Sequence, residues 1–306
     1  MALKFGTFGD DVLSGTVGDD ILQALPGDDE VRGRGGNDIL FGDWGDDVLW
    51  GGRGNDTLHG GSGNDELKGG TGNDTAVFAT TNDVIVDLGG FAYADSNALG
   101  LDYLIGIENI TTGAGDDTIR GNDFANVLSG ADGDDELEGD GGDDALLGGA
   151  GIDDLDGGAG DDAVDGGAGN DWVLGDSGDD ILVGGAGDDE LNGDDWSGSA
   201  GRGVDRLTGG DGGDTFAFHI GQSGVRSGQR DVVTDFDTAE GDLIRLHGFD
   251  DLEFVGNGSF SAANQVRYTQ AGGKTFVHIS TDADAAAEMQ IEITGTVDLN
   301  AGDFIL

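Results

Sequence analysis

The stretch GDWGDDVLWGGRGNDTLHGGSGNDELK, residues 42–68, contains three successive copies of one nine-residue pattern. The pattern is GGxGxDxUx, in which U is an apolar residue. It repeats in eight uninterrupted copies from Gly6 to Val77 and in nine copies from Thr112 to Asn192. Seven further residues follow, and two more copies then cover Ala200 to Ala217. Repetition at a short fixed period is typical of solenoids, in which each copy adds one unit to a stack.

Three positions of the pattern stay in phase over all 19 copies. The sixth position is aspartate in 18 copies, and Asn126 is the exception. The fourth is glycine in 18, and Phe124, in the same copy as Asn126, is the exception. The eighth is apolar in every copy. A low-complexity linker does not hold three positions in phase for this length, so the pattern indicates a folded array.

The nine positions divide into a turn and a strand. Six residues rich in glycine, asparagine and aspartate suit a tight turn, where positive φ must be tolerated. The remaining three suit a short strand, whose eighth-position side chain points inward while its neighbours point outward. Two turns and two strands form a coil of 18 residues, so we expect two parallel sheets over a thin apolar core. The expected stacked pairs of loop aspartates are Asp11 with Asp29, Asp20 with Asp38 and Asp117 with Asp135.

The chain is strongly acidic. Its 306 residues include 63 Asp and Glu against 13 Lys and Arg, for a formal charge of −50, with 64 Gly, 1 Pro and no Cys. This sign excludes nucleic acid and anionic membrane as partners. Stacked aspartates would repel one another unless a cation lay between successive loops. Carboxylate and carbonyl oxygens select hard cations, and Ca²⁺ above all.

The pattern resembles the calcium-binding nonapeptide repeat of the RTX exoproteins, over residues 6–77 and 112–217. The resemblance implies a right-handed parallel β-roll in which the sixth-position aspartates and loop carbonyls bind Ca²⁺. We expect on the order of 12 to 16 ions, with the site that uses the uncharged Asn126 in doubt. The expected ligands are Asp11, Asp20, Asp29, Asp38, Asp47, Asp56, Asp65, Asp74, Asp117, Asp135, Asp144, Asp153, Asp162, Asp171, Asp180, Asp189, Asp205 and Asp214.

Residues 78–111 interrupt the repeats and are expected to connect the two arrays, 1–77 and 112–217, with strands on the same stack. Val84 to Val86 and Leu104 to Ile110 have the apolar character of strands. The acidic side chains of this segment are expected in solvated loops, with metal binding as the alternative: Asp83, Asp87 and Glu108.

Residues 218–306 have fewer glycines and more alternating strand patterns, namely DVVTDF, DLIRLHGF, QVRYTQ, KTFVHIST and MQIEITGTV. Through GGDTFAF, RDVVTDFDTAEGDLIRL and LNAGDFIL, this part resembles the C-terminal cap of serralysin-type metalloproteases. The resemblance implies a β-rich cap that closes the roll. It also implies a type I secretion signal at the end of the sequence, with a plain edge strand as the alternative. The residues concerned are Asp303, Phe304, Ile305 and Leu306.

The sequence lacks the patterns of a cleavable signal peptide, a membrane span and two common hydrolase sites. Residues 1–11 do not have the charged and apolar regions of a cleavable signal peptide, and no run of 18 apolar residues predicts a membrane span. Neither an HExxH helix nor a G-x-S-x-G nucleophile motif occurs. The many carboxylate pairs lie in repeat loops, where metal binding explains them better than acid–base catalysis. We therefore expect a protein that is not an enzyme.

The expected function is that of a secreted, extracellular or cell-surface protein of bacterial type. It would fold on Ca²⁺ after passing a type I exporter and would have a structural, matrix or surface role. The alternatives are a non-catalytic export-and-folding module of an exoenzyme, of the protease or alginate epimerase type, and a surface adhesin. A cell-surface or polysaccharide partner stays open. Ice binding is disfavoured because threonine takes the seventh position in only four of 19 copies. A pore-forming role is disfavoured because no long amphipathic helix is predicted. Outward aromatic residues are candidates for contact patches: Phe41, Trp44, Trp50, Trp172 and Trp196.

Overall fold

The computed structural model describes residues 1–89, 93–96 (backbone only), 100–194, 203–219, 223–224, 226, 228–248, 252–282 and 286–306. Almost all of the regular structure is β-strand, and it forms two compact units, Met1–Gly141 and Gly142–Leu306. No helix in the described part of the chain is long and apolar enough to cross a membrane.

The first unit is a stack of short strands that alternate between two sheets. Strands 18 residues apart pair in parallel, as Ile21 with Ile39 in one sheet and Glu30 with Val48 in the other. The first sheet has the order β1-β3-β5-β7-β9-β13-β15 and the second β2-β4-β6-β8-β12-β11-β10-β14-β16. The strands are β1 (Leu3–Phe5), β2 (Val12–Ser14), β3 (Ile21–Gln23), β4 (Glu30–Arg32), β5 (Ile39–Trp44), β6 (Val48–Arg53), β7 (Thr57–Ser62), β8 (Glu66–Thr71), β9 (Thr75–Val77), β10 (Val84–Asp87), β11 (Tyr93–Ser96), β12 (Gly100–Ile105), β13 (Asn109–Thr111), β14 (Thr118–Asn122), β15 (Val127–Asp132) and β16 (Glu136–Asp140).

The connecting segment 78–111 contributes strands to both sheets of this unit. In the second sheet, β10, β11 and β12 form an antiparallel meander, whose outer strands pair in parallel with β14 and β8. In the first sheet, β13 pairs in parallel with β9 and β15. The strand predicted from Leu104 to Ile110 is broken, because Gly106 has a left-handed backbone with φ of 59° and turns the chain from one sheet to the other.

The second unit begins with the same alternation. Ala163 pairs with Ile181, and Ile181 then pairs with Arg206, so the seven inserted residues are accommodated without loss of parallel register. One sheet has the order β17-β19-β21-β23-β25-β30-β29-β28-β27 and the other β18-β20-β22-β24-β26-β31. The elements are β17 (Ala145–Ala150), β18 (Asp154–Ala159), β19 (Ala163–Ala168), β20 (Trp172–Ser177), β21 (Ile181–Ala186), β22 (Glu190–Asn192), β23 (Arg206–Asp211), β24 (Thr215–His219), β25 (Val232–Val233), β26 (Leu243–His247), β27 (Glu253–Phe254), β28 (Gln265–Ala271), β29 (Lys274–Ser280), β30 (Met289–Thr294), a 3₁₀ turn (Ala301–Asp303) and β31 (Phe304–Ile305).

The cap at the end of the second unit has an apolar core of its own. All five strand patterns expected after residue 218 form strands, and β28, β29 and β30 pair antiparallel. Val277, Ile279, Ile291 and Ile293 are fully buried there. The prediction of an all-β parallel β-roll with a β-rich cap is confirmed.

The eighth-position residues of the repeats form the interior, as predicted. All 19 are buried, and the most exposed of them, Leu13, retains only 7% of its accessible surface. The strands are longer than the predicted three residues in most coils, because they continue through the first three positions of the following copy, as where Gly52 pairs with Gly70 and Arg53 with Thr71.

Glycine at the fourth position lets successive loops lie in contact. At Gly54, φ is 116°, and a Cβ atom would lie 2.2 Å from the carbonyl oxygen of Gly36 in the preceding coil. Any other residue there would separate the two loops, so the repeated glycine is required by the stacking itself.

Two adjacent leucines on β17 test the assignment of the interior. Leu146 is fully buried, whereas Leu147 points outward and is 44% exposed. We expect Leu146→Ala to lower the free energy of unfolding in saturating calcium by about 2 to 5 kcal/mol, since it leaves a cavity in a thin core. Leu147→Ala should change it by no more than about 0.5 kcal/mol. Denaturant unfolding followed by circular dichroism measures both, and equal losses would place the core elsewhere.

Candidate calcium sites

The sixth-position aspartates form hydrogen-bonded ladders along the loops. The backbone N–H of Asp20 donates to Oδ1 of Asp38 at 2.7 Å, and that of Asp47 donates to Oδ1 of Asp65 at 2.8 Å. The three predicted stacked pairs are all present, with Asp11 N–H donating to Asp29 at 2.6 Å and Asp117 N–H to Asp135 at 2.7 Å. Each aspartate is one rung of its ladder. One of its carboxylate oxygens accepts a hydrogen bond from the aspartate N–H of the preceding coil.

The other carboxylate oxygen is buried and lacks a donor. Within the described residues, Oδ2 of most interior rungs accepts no hydrogen bond. A buried acceptor in this state is costly unless another group, such as a cation, compensates it. The rungs that show it include Asp29, Asp38, Asp47, Asp56, Asp65, Asp74, Asp162, Asp171, Asp180, Asp189, Asp205 and Asp214. At the start of the first array, Oδ2 of Asp11 and Asp20 instead accepts the N–H groups of Thr7 and Thr16.

A second oxygen converges on the same place from the following coil. A Cβ atom on Gly33 would lie 2.3 Å from Oδ2 of Asp38 and 2.7 Å from the carbonyl oxygen of Gly51. A Cβ atom on Gly42 would meet Oδ2 of Asp47 and the carbonyl of Gly60 at 2.3 and 2.4 Å. Because the first-position glycine has no side chain, it leaves a small space lined by carboxylate and carbonyl oxygens. This space is the glycine cradle. This donor set fits Ca²⁺, which takes six to eight oxygen ligands.

The electrostatics of the ladders also favour a bound cation. The pKa of Asp47 is raised to about 7, mainly by burial and also by the neighbouring carboxylates of Asp65 and Asp29, while the N–H of Asp29 opposes the rise. Burial likewise raises the pKa of Asp180 to about 8. Near neutral pH these groups must either hold protons or face a positive charge, because like charges at this spacing destabilise one another.

Four acidic residues outside the repeats continue the ladders, and the nonapeptide pattern does not predict them. Asp65 N–H donates to Oδ1 of Asp102 at 2.8 Å, and Asp74 N–H donates to Oε2 of Glu108 at 2.9 Å. In the second unit, Asp231 and Asp242 accept the N–H groups of Asp205 and Asp214. Each of the four lies two positions before an inward apolar residue, as the sixth position does in the repeats. This two-residue spacing is the sequence signal that could have found them.

The remaining acidic residues of the connecting segment differ from Glu108. Asp83 is exposed, and its Oδ1 accepts the N–H of Asp116 at 3.2 Å. Asp87 accepts a local hydrogen bond from the N–H of Gly89 and is the last residue of the strand β10. The expectation of a loop role therefore fits Asp83 but not Asp87. Glu108 lies in the loop between β12 and β13 and takes a ladder position there, and metal binding by it stays a prediction.

Asn126 occupies its rung in a different way from the aspartates. Its Oδ1 accepts the N–H of Asn122 at 2.9 Å, and its Nδ2 donates to the carbonyl oxygen of Glu108 at 2.7 Å. An amide N–H directed at a loop carbonyl uses an oxygen that a cation would otherwise bind. The doubt about a calcium site at this rung is consistent with this geometry.

The outward aromatic residues of the first unit lie on both of its sheets. Phe41 is on β5 in the first sheet and stacks on His59, whereas Trp50 is on β6 in the second sheet beneath the ammonium group of Lys68. Trp44 is 70% exposed, and Trp172 in the second unit is 50% exposed. Trp196 lies outside the described residues.

The four residues at the end of the sequence are docked on the cap. Asp303 is buried and caps the N-terminus of a 3₁₀ turn together with Asn300. Phe304 and Ile305 form β31, which pairs in parallel with β26, and Phe304 packs against Phe254 with ring centroids 5.1 Å apart. Phe304 and Ile305 are therefore an edge strand in the folded chain, and a secretion signal in these four residues stays a prediction.

Two family models match the chain. The model of the RTX calcium-binding nonapeptide repeat matches residues 5–40 and 41–76, and the model described as peptidase M10 serralysin C terminal matches residues 84–306. The chain belongs to the serralysin C-terminal family. Both resemblances inferred from the sequence are confirmed, and both matches are to repeat and C-terminal domains rather than to a catalytic domain.

Two of the similar solved structures are an epimerase subunit and a lipase. The AlgE6R3 subunit of the Azotobacter vinelandii mannuronan C5-epimerase is 29% identical over 50% of this chain and 76% of its own, with a TM-score of 0.25. The extracellular lipase LipA from Serratia marcescens is 15% identical, with a TM-score of 0.20, and the match covers 99% of this chain but only 40% of the lipase. No curated protein matches the chain.

Proposed function

We propose that this chain is a secreted calcium-binding β-roll protein that folds when Ca²⁺ binds after type I export. One observation carries the proposal: within the described residues, buried aspartate oxygens without a donor recur at most interior rungs, and many of them lie beside the carbonyl of the next coil. The bound ions would neutralise the ladders and so supply folding free energy. The sixth-position aspartates of both arrays are the proposed ligands, and the number of ions is on the order of 12 to 16.

The proposed role outside the cell is structural, in a matrix or at the cell surface, and non-catalytic. The division into arrays 1–77 and 112–217, connecting segment 78–111 and cap 218–306 is part of this proposal. Weak extracellular sites, with dissociation constants of roughly 10⁻⁴ to 10⁻³ M, would stay empty in a cytosol poor in Ca²⁺ and fill outside. The chain would then pass a narrow exporter unfolded and fold beyond it.

A second candidate function is favoured by the family match. The matched domain is named for a peptidase, so the chain is also a candidate for the export-and-folding module of an exoenzyme. Calcium binding is common to both functions, and they differ in whether a catalytic partner accompanies the chain.

Two adjacent aspartates give a matched test of the ligand assignment. Asp47→Asn keeps the acceptor for Asp29 N–H but removes the charge from the cradle at Gly42. We expect it to lower the calcium count of the folded chain by at least one and to raise the calcium concentration needed for folding. Asp46→Asn removes the same charge from an exposed position that accepts Asn64 N–H at 2.8 Å, and it should keep the full count. Native mass spectrometry counts the ions, and identical counts would remove the sixth-position charge from the ligand set.

Export is tested separately from calcium binding. Deleting Asp303 to Leu306 should lower the amount of chain in the medium of a host with a cognate type I exporter, if these residues are read before folding. The control is Phe254→Ala, which removes the packing partner of Phe304 and leaves the four residues in place. It should be secreted normally, because export precedes cap packing. Normal secretion of the deletion variant would show that the four residues form only the edge strand.

A further inference from the structure

Three buried carboxylates from different segments of the second unit meet outside the repeat pattern. Asp194 follows β22, Asp205 precedes β23 and Asp231 precedes β25. Each offers one oxygen, and the three oxygens lie within 4.8 Å of one another. Their side chains are 6%, 0% and 1% exposed. Asp194 belongs to the seven inserted residues and Asp231 to the cap, so only Asp205 is a sixth-position residue.

Backbone and side-chain hydrogen bonds hold two of these carboxylates in place. Oδ1 of Asp205 accepts the N–H of Asp180 at 3.0 Å, and Oδ1 of Asp231 accepts the N–H of Asp205 at 3.3 Å. The N–H of Asp231 in turn donates to Oγ of Ser223 at 2.9 Å, and that hydroxyl donates to the carbonyl of Gln290 at 2.5 Å. The cluster is therefore anchored both in the repeat ladder and in the antiparallel sheet of the cap.

In the part of the chain that the structure describes, one carboxylate oxygen of Asp205 has no hydrogen-bond donor. Oδ2 of Asp205 is fully buried and accepts no hydrogen bond within the described residues. It lies 2.3 Å from the position that a Cβ atom on Gly193 would take, next to Asp194 in the chain. The neighbouring cation Arg230 lies over the ring of Phe276 and 3.7 Å from Glu292.

We propose that Asp194, Asp205 and Asp231 form a calcium site of higher affinity than the sites of the repeats. The proposal builds on the calcium binding proposed above, but it concerns a different ligand set. The donors are all oxygen, which selects a hard cation. Three carboxylates converge here, whereas a repeat rung brings two stacked aspartates together with loop carbonyl oxygens. Calcium affinity rises with the number of charged ligands in a site, so this ion should be the last to leave.

The site also gives the seven-residue insertion a chemical role. The insertion places Asp194 beside a ladder rung without breaking the parallel register of β21 with β23. A bound ion would link the last repeats to the start of the cap through Asp231. Within the second unit it would therefore join two segments that are 37 residues apart, Asp194 and Asp231.

The test uses the full chain loaded with calcium and then equilibrated against buffers of decreasing free Ca²⁺. Bound calcium per chain is counted at each step by atomic emission. Asp194→Asn removes one carboxylate from the cluster and none from the repeat ladders. The matched control is Asp211→Asn, an exposed position at the end of β23 in the same unit that loses the same charge.

We expect the wild type and Asp211→Asn to keep one ion per chain at free Ca²⁺ at least about tenfold below the level that strips the others. Asp194→Asn should lose this ion together with the rest. If Asp194→Asn keeps the tightly held ion, or if the wild type has no such ion, the proposed site is wrong. The same calcium-binding curves would still show ions at the repeat sites. If no calcium binds at any concentration, the proposed function fails and the site fails with it.

Circular dichroism in saturating calcium checks that Asp194→Asn retains the β-content of the wild type. If that variant does not fold, the wild-type curve decides alone. A single tightly held ion in the wild-type curve supports the proposed site, and the absence of such an ion overturns the proposal.

Discussion

Stacked negative charge is the constraint on which the rest of this structure depends. The repeat places an aspartate directly beneath another aspartate in the next coil, and the ladder hydrogen bonds hold them in that register. Each backbone N–H satisfies one carboxylate oxygen of its neighbour, and at most interior rungs of the described residues the other oxygen is buried without a donor. The backbone therefore builds the geometry of the ladder but does not neutralise its charge. A cation between coils would do so, and the glycine cradles present the oxygens that such an ion requires.

The thin core makes this neutralisation more important than it would be in an ordinary globular protein. Each nine-residue copy buries one eighth-position side chain between the sheets, while fixing the backbone of all nine residues costs conformational entropy. Close stacking of glycine loops adds dense backbone contact but little apolar area. The cap is different, because β28, β29 and β30 enclose a cluster of valine and isoleucine residues. Stability in the arrays should consequently depend on metal far more than stability in the cap.

The sequence predicts the repeated part of this fold well because one physical unit recurs 19 times. The inward eighth position, the 18-residue pairing offset and the stacked aspartates all follow from the turn and strand division of nine residues. The antiparallel meander of residues 84–105 does not follow from it, because apolar alternation identifies strands but does not specify their partners. The nonapeptide pattern does not identify Asp102, Glu108, Asp231 and Asp242, because they keep the spacing from the acidic residue to the core residue without the full set of repeat glycines. Of the four, only Glu108 is an expected alternative ligand.

The most direct test of calcium-dependent folding is far-UV circular dichroism of the exhaustively chelated chain during a calcium titration. With a formal charge of −50 and one core residue per copy, the arrays should be largely disordered without metal. We expect a cooperative gain of β-structure as Ca²⁺ approaches roughly 10⁻⁴ to 10⁻³ M. Full β-content in the chelated chain, unchanged on addition of calcium, would contradict the claim that metal holds the ladders together.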